Sequence, residues 1–170
     1  MAKDYENYAT LDEYMNSLVA SGVVKNKTEA RKAAYRRIPN ENYFQGRILK
    51  YLNSQPFGLR VKAWKNQAGM YQERGLPDVE AVVEGQYIGF EVKRPLIGEP
   101  TALQQRVADE IRASGGQVYF VSSVSEVEKI MEQVKLKTIN LDYYDSIHDA
   151  VLDAQREDLC QKQSKSKRIR

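Results

Sequence analysis

The chain has 170 residues, 29% charged and 42% hydrophobic, which suits one soluble domain with modest extensions and enough length to bury a core. One cysteine, Cys160, and one histidine, His148, exclude disulfide scaffolds and structural zinc sites and leave no spare histidine for a serine– or thiol–histidine triad, so catalysis falls to carboxylates and lysines. No apolar run approaches the roughly 18 residues of a membrane span, and the first ten residues hold no apolar signal stretch, so a reduced cytoplasmic setting is expected.

The formal net charge of +3 is concentrated at the end of the chain. Gln161 to Arg170 hold five basic residues and no acid, whereas the preceding residues carry 21 basic against 23 acidic groups. Such a tail reads as a solvated end that can also hold phosphates electrostatically.

In chain order, Leu11 to Arg37 suggests two short helices. Leu11, Met15, Leu18 and Val19 form an apolar stripe before Gly22, and Thr28 is expected to cap the second helix, which Pro39 ends. A third helix starts after Asn40, with Glu41 in its first turn and Phe44, Ile48, Leu49 and Leu52 at helical spacing. Leu59 to Trp64 alternates as a strand. Asp78–Val83 and Gln86–Lys93 are β-rich runs separated by Glu84 and Gly85, the spacing of a tight hairpin. Thr101 opens a helix striped by Leu103, Val107 and Ile111 that ends at Gly115 and Gly116. Gln117–Ser122 is a short strand, and Ser125–Val134 a further amphipathic helix. The order implies an α/β fold with a mixed sheet flanked by helices. It divides into a helical extension over 1–40, a core over 41–140, and a C-terminal helix with the basic tail over 141–170.

If Glu84 and Gly85 are the two loop residues of the hairpin, Asp78 stands directly opposite Glu91. Alternation then places Asp78, Glu91 and Lys93 on one face, and Val79, Ala81, Val83, Ile88, Phe90 and Val92 on the other. Two facing carboxylates oppose sheet formation unless positive charge lies between them, which a divalent cation supplies. Hard carboxylate oxygens suit Mg2+ or Mn2+, and such an ion polarises a phosphate oxygen. Lys93 would offset charge or orient a water; alternatively it is one member of a solvated charge cluster with Glu91 or Glu80. Trp64, Tyr71 and Tyr87 either stack on bases or pack against the sheet, Tyr87 lying on the same face as the acids.

The ordered set Gly75-Leu76-Pro77-Asp78, Glu91-Val92-Lys93 and Gln104 resembles the virus-type replication-repair nuclease (VRR-NUC) domain of the PD-(D/E)xK nuclease superfamily. The likeness runs from about Glu41 to Lys129. It implies a restriction-endonuclease-like core in the order αβββαβ, with Asp78, Glu91 and the carbonyl of Val92 as metal ligands, Lys93 as the catalytic lysine, Gln104 as the supporting glutamine, and Glu41 as a further acid of the first core helix. Residues 1–40 and those after Leu141 have no counterpart in the minimal domain.

The resemblance implies a Mg2+- or Mn2+-dependent DNA endonuclease acting on branched or junction DNA, of a stand-alone, phage-type kind. Cutting two strands symmetrically needs two sites, so a homodimer is expected, with the Leu11–Val19 stripe at its interface. The competing readings are a restriction-type nuclease subunit and a non-catalytic DNA-binding protein that uses the two N-terminal helices, whose pattern faintly resembles a ribbon-helix-helix segment.

Overall fold

The computed structural model describes residues 4–66 and 74–140. Its sheet is organised by the two-residue turn at Glu84 and Gly85, whose φ values of 46° and 84° are those that a tight hairpin requires. β2 (Val79–Val83) therefore pairs antiparallel with β3 (Gln86–Val92), Val83 opposite Gln86 and Val79 opposite Phe90. β1 (Val61–Lys65) pairs antiparallel on the outer side of β2. On the other side β4 (Gln117–Val121) runs parallel to β3, an arrangement that needs a crossover, provided by the helix Ala102–Ala113. The mixed sheet has the order β1-β2-β3-β4.

The helix Glu41–Leu52 precedes β1, so the core order is helix, three strands, helix, strand, as expected for a restriction-endonuclease-like α/β fold. With α1 (Leu11–Ala20) and α2 (Lys27–Arg37) before it, Glu41–Leu52 is α3 and Ala102–Ala113 is α4. Val79, Ala81, Val83, Ile88, Phe90 and Val92 are fully buried, and α3 packs against these strands, burying its own Phe44, Ile48 and Leu52. At the edge of the sheet the Asn53 side chain takes the place of a neighbouring strand: it donates to the Ala63 carbonyl and accepts from the Ala63 N–H, both at 3.1 Å.

Three details differ from the sequence expectation. α2 is capped by Asn26, not Thr28, because the Asn26 side chain accepts the Glu29 N–H at 2.9 Å while the Glu29 carboxylate reaches back to Lys25 N. Half of the stripe on α1, Met15 and Leu18, is covered within the chain. α1 packs on α2, burying Tyr14, Met15 and Leu18 together with Ala30, Ala33 and Ala34, while Leu11 and Val19 stay half-buried. On α4, Leu103 is 38% exposed and the inward positions are Val107 and Ala108, with Gln104 half-buried beside them.

The chain divides into two compact units, 1–130 and 131–170. The first ends in helical residues from 124, and the second is helical over its described residues, 131–140. Tyr71, His148, Cys160 and the basic tail lie outside the described residues. Among the described residues no helix is long and apolar enough to cross a membrane.

Candidate active site

One residue beyond the paired strands, the hairpin register sets Asp78 opposite Glu91, and two residues beyond sets Pro77 opposite Val92. Asn66 N–H donates to the Asp78 carbonyl at 2.8 Å, so the Asp78 backbone faces β1 and that of Pro77 faces β3. Proline has no N–H, so it gives the Val92 carbonyl no ladder bond. The Val92 N–H donates instead to the Asp78 carboxylate at 2.9 Å, which fixes that side chain against β3.

Glu91 is a buried acid, 3% exposed, and two neighbours hold it. Lys93 Nζ lies 2.9 Å from Glu91 Oε1 and donates to Gln104 Oε1 at 2.8 Å, while Gln104 Nε2 donates to Glu91 Oε1. The triangle closes, and α4 sets its third corner. Gln104 sits at the third position of that helix, where its side chain accepts the Thr101 N–H at 2.9 Å and Thr101 Oγ1 accepts the Gln104 N–H at 3.3 Å. A capping box thus orients the amide that touches both Glu91 and Lys93. The Glu91 carboxyl is raised to about 7: burial pushes it up most, the Lys93 hydrogen bond pulls it down, and the Asp78 charge pushes it up.

Lys93 is therefore buried against Glu91 and Gln104 rather than solvated, with a side chain only 12% exposed. Two adjacent carboxylates, one of them desolvated, and a backbone carbonyl with no β2 donor form an all-oxygen set that suits a hard divalent cation such as Mg2+ or Mn2+. Glu41 reaches the end of β3 from α3: its Oε1 accepts the N–H of Arg94, the residue after Lys93, at 3.2 Å. Among the described residues no group of three or more His, Cys, Asp or Glu side chains comes together. The structure thus brings Asp78, Glu91, Lys93 and Gln104 together and sets the Glu41 carboxylate on the backbone of Arg94, next to Lys93.

No family model matches the chain, and no curated protein does either. Solved structures similar to it include the following two. One, described as a VRR_NUC domain, is 27% identical over 52% of this chain and 94% of its own, with a TM-score of 0.43. The other, described as a VRR_NUC domain protein, is 14% identical over 56% of this chain and 87% of its own, with a TM-score of 0.44. Both carry the description of the family that the motif set resembles.

Around the four central side chains the structure adds residues that sequence pattern does not mark. A Cβ at Gly89 would meet Pro77 Cγ at 2.5 Å, so the Pro77 ring rests directly on the backbone of β3 and holds Asp78 in place. On the same sheet face, Glu80 accepts from Asn66 Nδ2 at 3.0 Å and from Trp64 and Tyr87. Burial, together with the Glu80 charge, pushes the Tyr87 phenol up to about 12. Tyr87 is therefore half-buried and hydrogen-bonded, while Trp64 remains 38% exposed. Arg94, the residue after Lys93, donates to the carbonyls of Tyr35, Ile38 and Pro39 and lies over the Tyr35 ring at 5.4 Å. Nothing in local periodicity marks Arg94; its signal is only its place directly after Glu-Val-Lys.

Proposed function

We propose that the chain is a divalent-cation-dependent endonuclease that hydrolyses phosphodiester bonds in DNA. The observation that carries this reading is the Glu91–Lys93–Gln104 triangle beside Asp78, with Glu91 buried and its two partners half-buried. A charged triangle is expensive to bury for stability alone, and here it lies next to a second carboxylate whose charge it does not offset.

Asp78, Glu91 and the Val92 carbonyl are the groups that would hold the cation. When bound there, it supplies Lewis-acid polarisation of a phosphate oxygen. Asp78 is pre-positioned by Val92 N–H and by Pro77 on Gly89, so little ordering remains for binding to impose. Lys93 places a cation beside the acids. Its ammonium group offsets the charge that grows on the phosphate oxygens as the water oxygen attacks phosphorus and the P–O bond to the leaving strand breaks. Gln104 is the positioning residue, because it touches Glu91 and Lys93 at once and keeps the ammonium near the acids without neutralising either one.

The resemblance of the motif set to the VRR-NUC domain supports branched DNA, four-way junctions included, as the substrate class. Symmetric cutting of a junction needs two such sites, which a two-fold homodimer provides. One panel tests the reading: purified protein with linear, flapped, splayed and four-way DNA, each with Mg2+, Mn2+ or chelator. Cleavage of branched forms that requires the cation is expected. Absence of cleavage from every substrate with either cation rejects it.

A further inference from the structure

α2 is the most basic element of the described chain. It carries Lys27, Arg31, Lys32, Arg36 and Arg37 against one acid, Glu29, and the carboxylate of Glu29 is taken up by the backbone N–H of Lys25. Arg37 pairs with Asp4 at 3.0 Å. The other four cations are exposed, and none makes an ion pair with an acid among the described residues.

Their arrangement disfavours the helix. Lys27 and Arg31 are four residues apart, as are Lys32 and Arg36, so two like-charged pairs face each other on adjacent ridges, and Lys27 sits in the first turn where the helix dipole opposes a cation. Packing gives no reason for their charge either, because α2 is anchored through the small apolar side chains of Ala30, Ala33 and Ala34, and the four cations stand exposed around that contact. Electrostatic strain that the fold does not relieve calls for an anionic partner.

The other end of α2 is fixed to the candidate active site. Arg94, adjacent in sequence to Lys93, donates to the Tyr35 and Ile38 carbonyls at the end of α2 and to the Pro39 carbonyl at 3.1 Å beyond it. Tyr35 itself lies between two guanidinium groups, Arg94 at 5.4 Å and Arg31 at 5.8 Å from its ring centre. The basic ridge is thus tied, through one side chain, to the end of the strand that carries Glu91 and leads into Lys93.

We infer that the exposed face of α2, with Lys27, Arg31, Lys32 and Arg36, docks the sugar–phosphate backbone of the DNA that the nuclease cuts. This inference rests on the reading of the chain as a DNA nuclease. Phosphates along a duplex repeat in one direction with uniform charge, which two parallel cationic ridges match, and such docking carries no base preference. Arg94 registers the docked backbone relative to the acids.

The test measures binding to a four-way DNA junction in chelator, where no cleavage intervenes, across a series of salt concentrations. The full chain is compared with a variant in which Lys27, Arg31, Lys32 and Arg36 are all alanine, and with a control in which Lys50, Arg106, Lys129 and Lys137 are alanine. The α2 variant is expected to bind at least about tenfold more weakly at low salt. Its slope of log affinity against log salt should be shallower by about 3 to 4, roughly one for each phosphate that the missing cations would have neutralised. It should melt no lower than the parent, because alanine relieves the like-charge pairs. An unchanged slope in a folded α2 variant, or an equal weakening in the control, overturns the inference. A parent that binds DNA through α2 but cuts nothing with either cation overturns the nuclease reading and leaves this surface standing.

Discussion

Replacing Glu91 by glutamine keeps the shape of the side chain and removes its charge, and the consequence for stability follows from its surroundings. Burial and Asp78 hold the Glu91 carboxyl at about 7 in the folded chain, against 4.5 when unfolded. Between those pH values the folded state keeps a proton that the unfolded state has released, so stability falls as pH rises from about 4.5 to 7 and levels off above. At about 1.4 kcal/mol per pH unit the loss is roughly 3 kcal/mol, or about 6–12 °C in melting temperature for a chain of this size. Thermal melts followed by circular dichroism in chelator, at pH 5 and pH 7.5, should show that difference in the parent and a much flatter response in Glu91→Gln. Millimolar Mg2+ at pH 7.5 should raise the melting temperature of the parent and leave the variant almost unmoved. Equal pH responses in the two proteins would refute the burial argument, and an equal Mg2+ response would refute the assignment of Glu91 as a cation ligand.

Three further outcomes follow from the same geometry. Lys93→Ala should lower the cleavage rate by about 100-fold or more, with Mg2+ affinity read by calorimetry nearly unchanged, since the ammonium group holds no metal. Gln104→Ala leaves the capping box and the triangle open; a cleavage rate lowered by about tenfold and a stability loss of about 1–2 kcal/mol in urea are expected, with Gln104→Glu restoring the cap but not the rate. Gly89→Ala places a methyl group on the Pro77 ring, so a destabilisation of about 1–3 kcal/mol should accompany weakened Mg2+ binding through displacement of Asp78.

The centre of this site was legible because a two-residue turn leaves the hairpin one register. Once Glu84 and Gly85 are the loop, the pairing of Asp78 with Glu91 and the division into a core face and a charged face follow from strand alternation alone. Gln104 was legible from its place beside the apolar stripe of α4, but the cap that orients it was not: the periodicity points to Leu103 as buried, whereas the capping box with Thr101 turns Gln104 inward and leaves Leu103 exposed. The partner of the α1 stripe was hidden for a related reason. Ala30, Ala33 and Ala34 form the buried side of a helix crowded with arginine and lysine, so its apolar face is small enough to escape a periodicity reading. Arg94 and Asn53 act on backbone carbonyls and N–H groups far away in sequence, and such bonds leave no pattern in the residues around them. Glu41 shows the converse: an acid in a first helical turn satisfies a helix terminus wherever it occurs, and here its carboxylate also meets Arg94 N–H.

Whether Asp78 and Glu91 act together on a DNA phosphodiester is decided by single-turnover cleavage of a four-way junction by the parent, Asp78→Ala and Glu91→Ala, with junction binding measured in parallel. Mg2+- or Mn2+-dependent cleavage is expected of the parent, with a loss of at least about 1,000-fold in each variant. Junction affinity should stay within about threefold of the parent in both, because the two acids add no attraction for phosphate. Cleavage that persists in both variants, or that the parent carries out equally well in chelator, would contradict a joint role for the two acids.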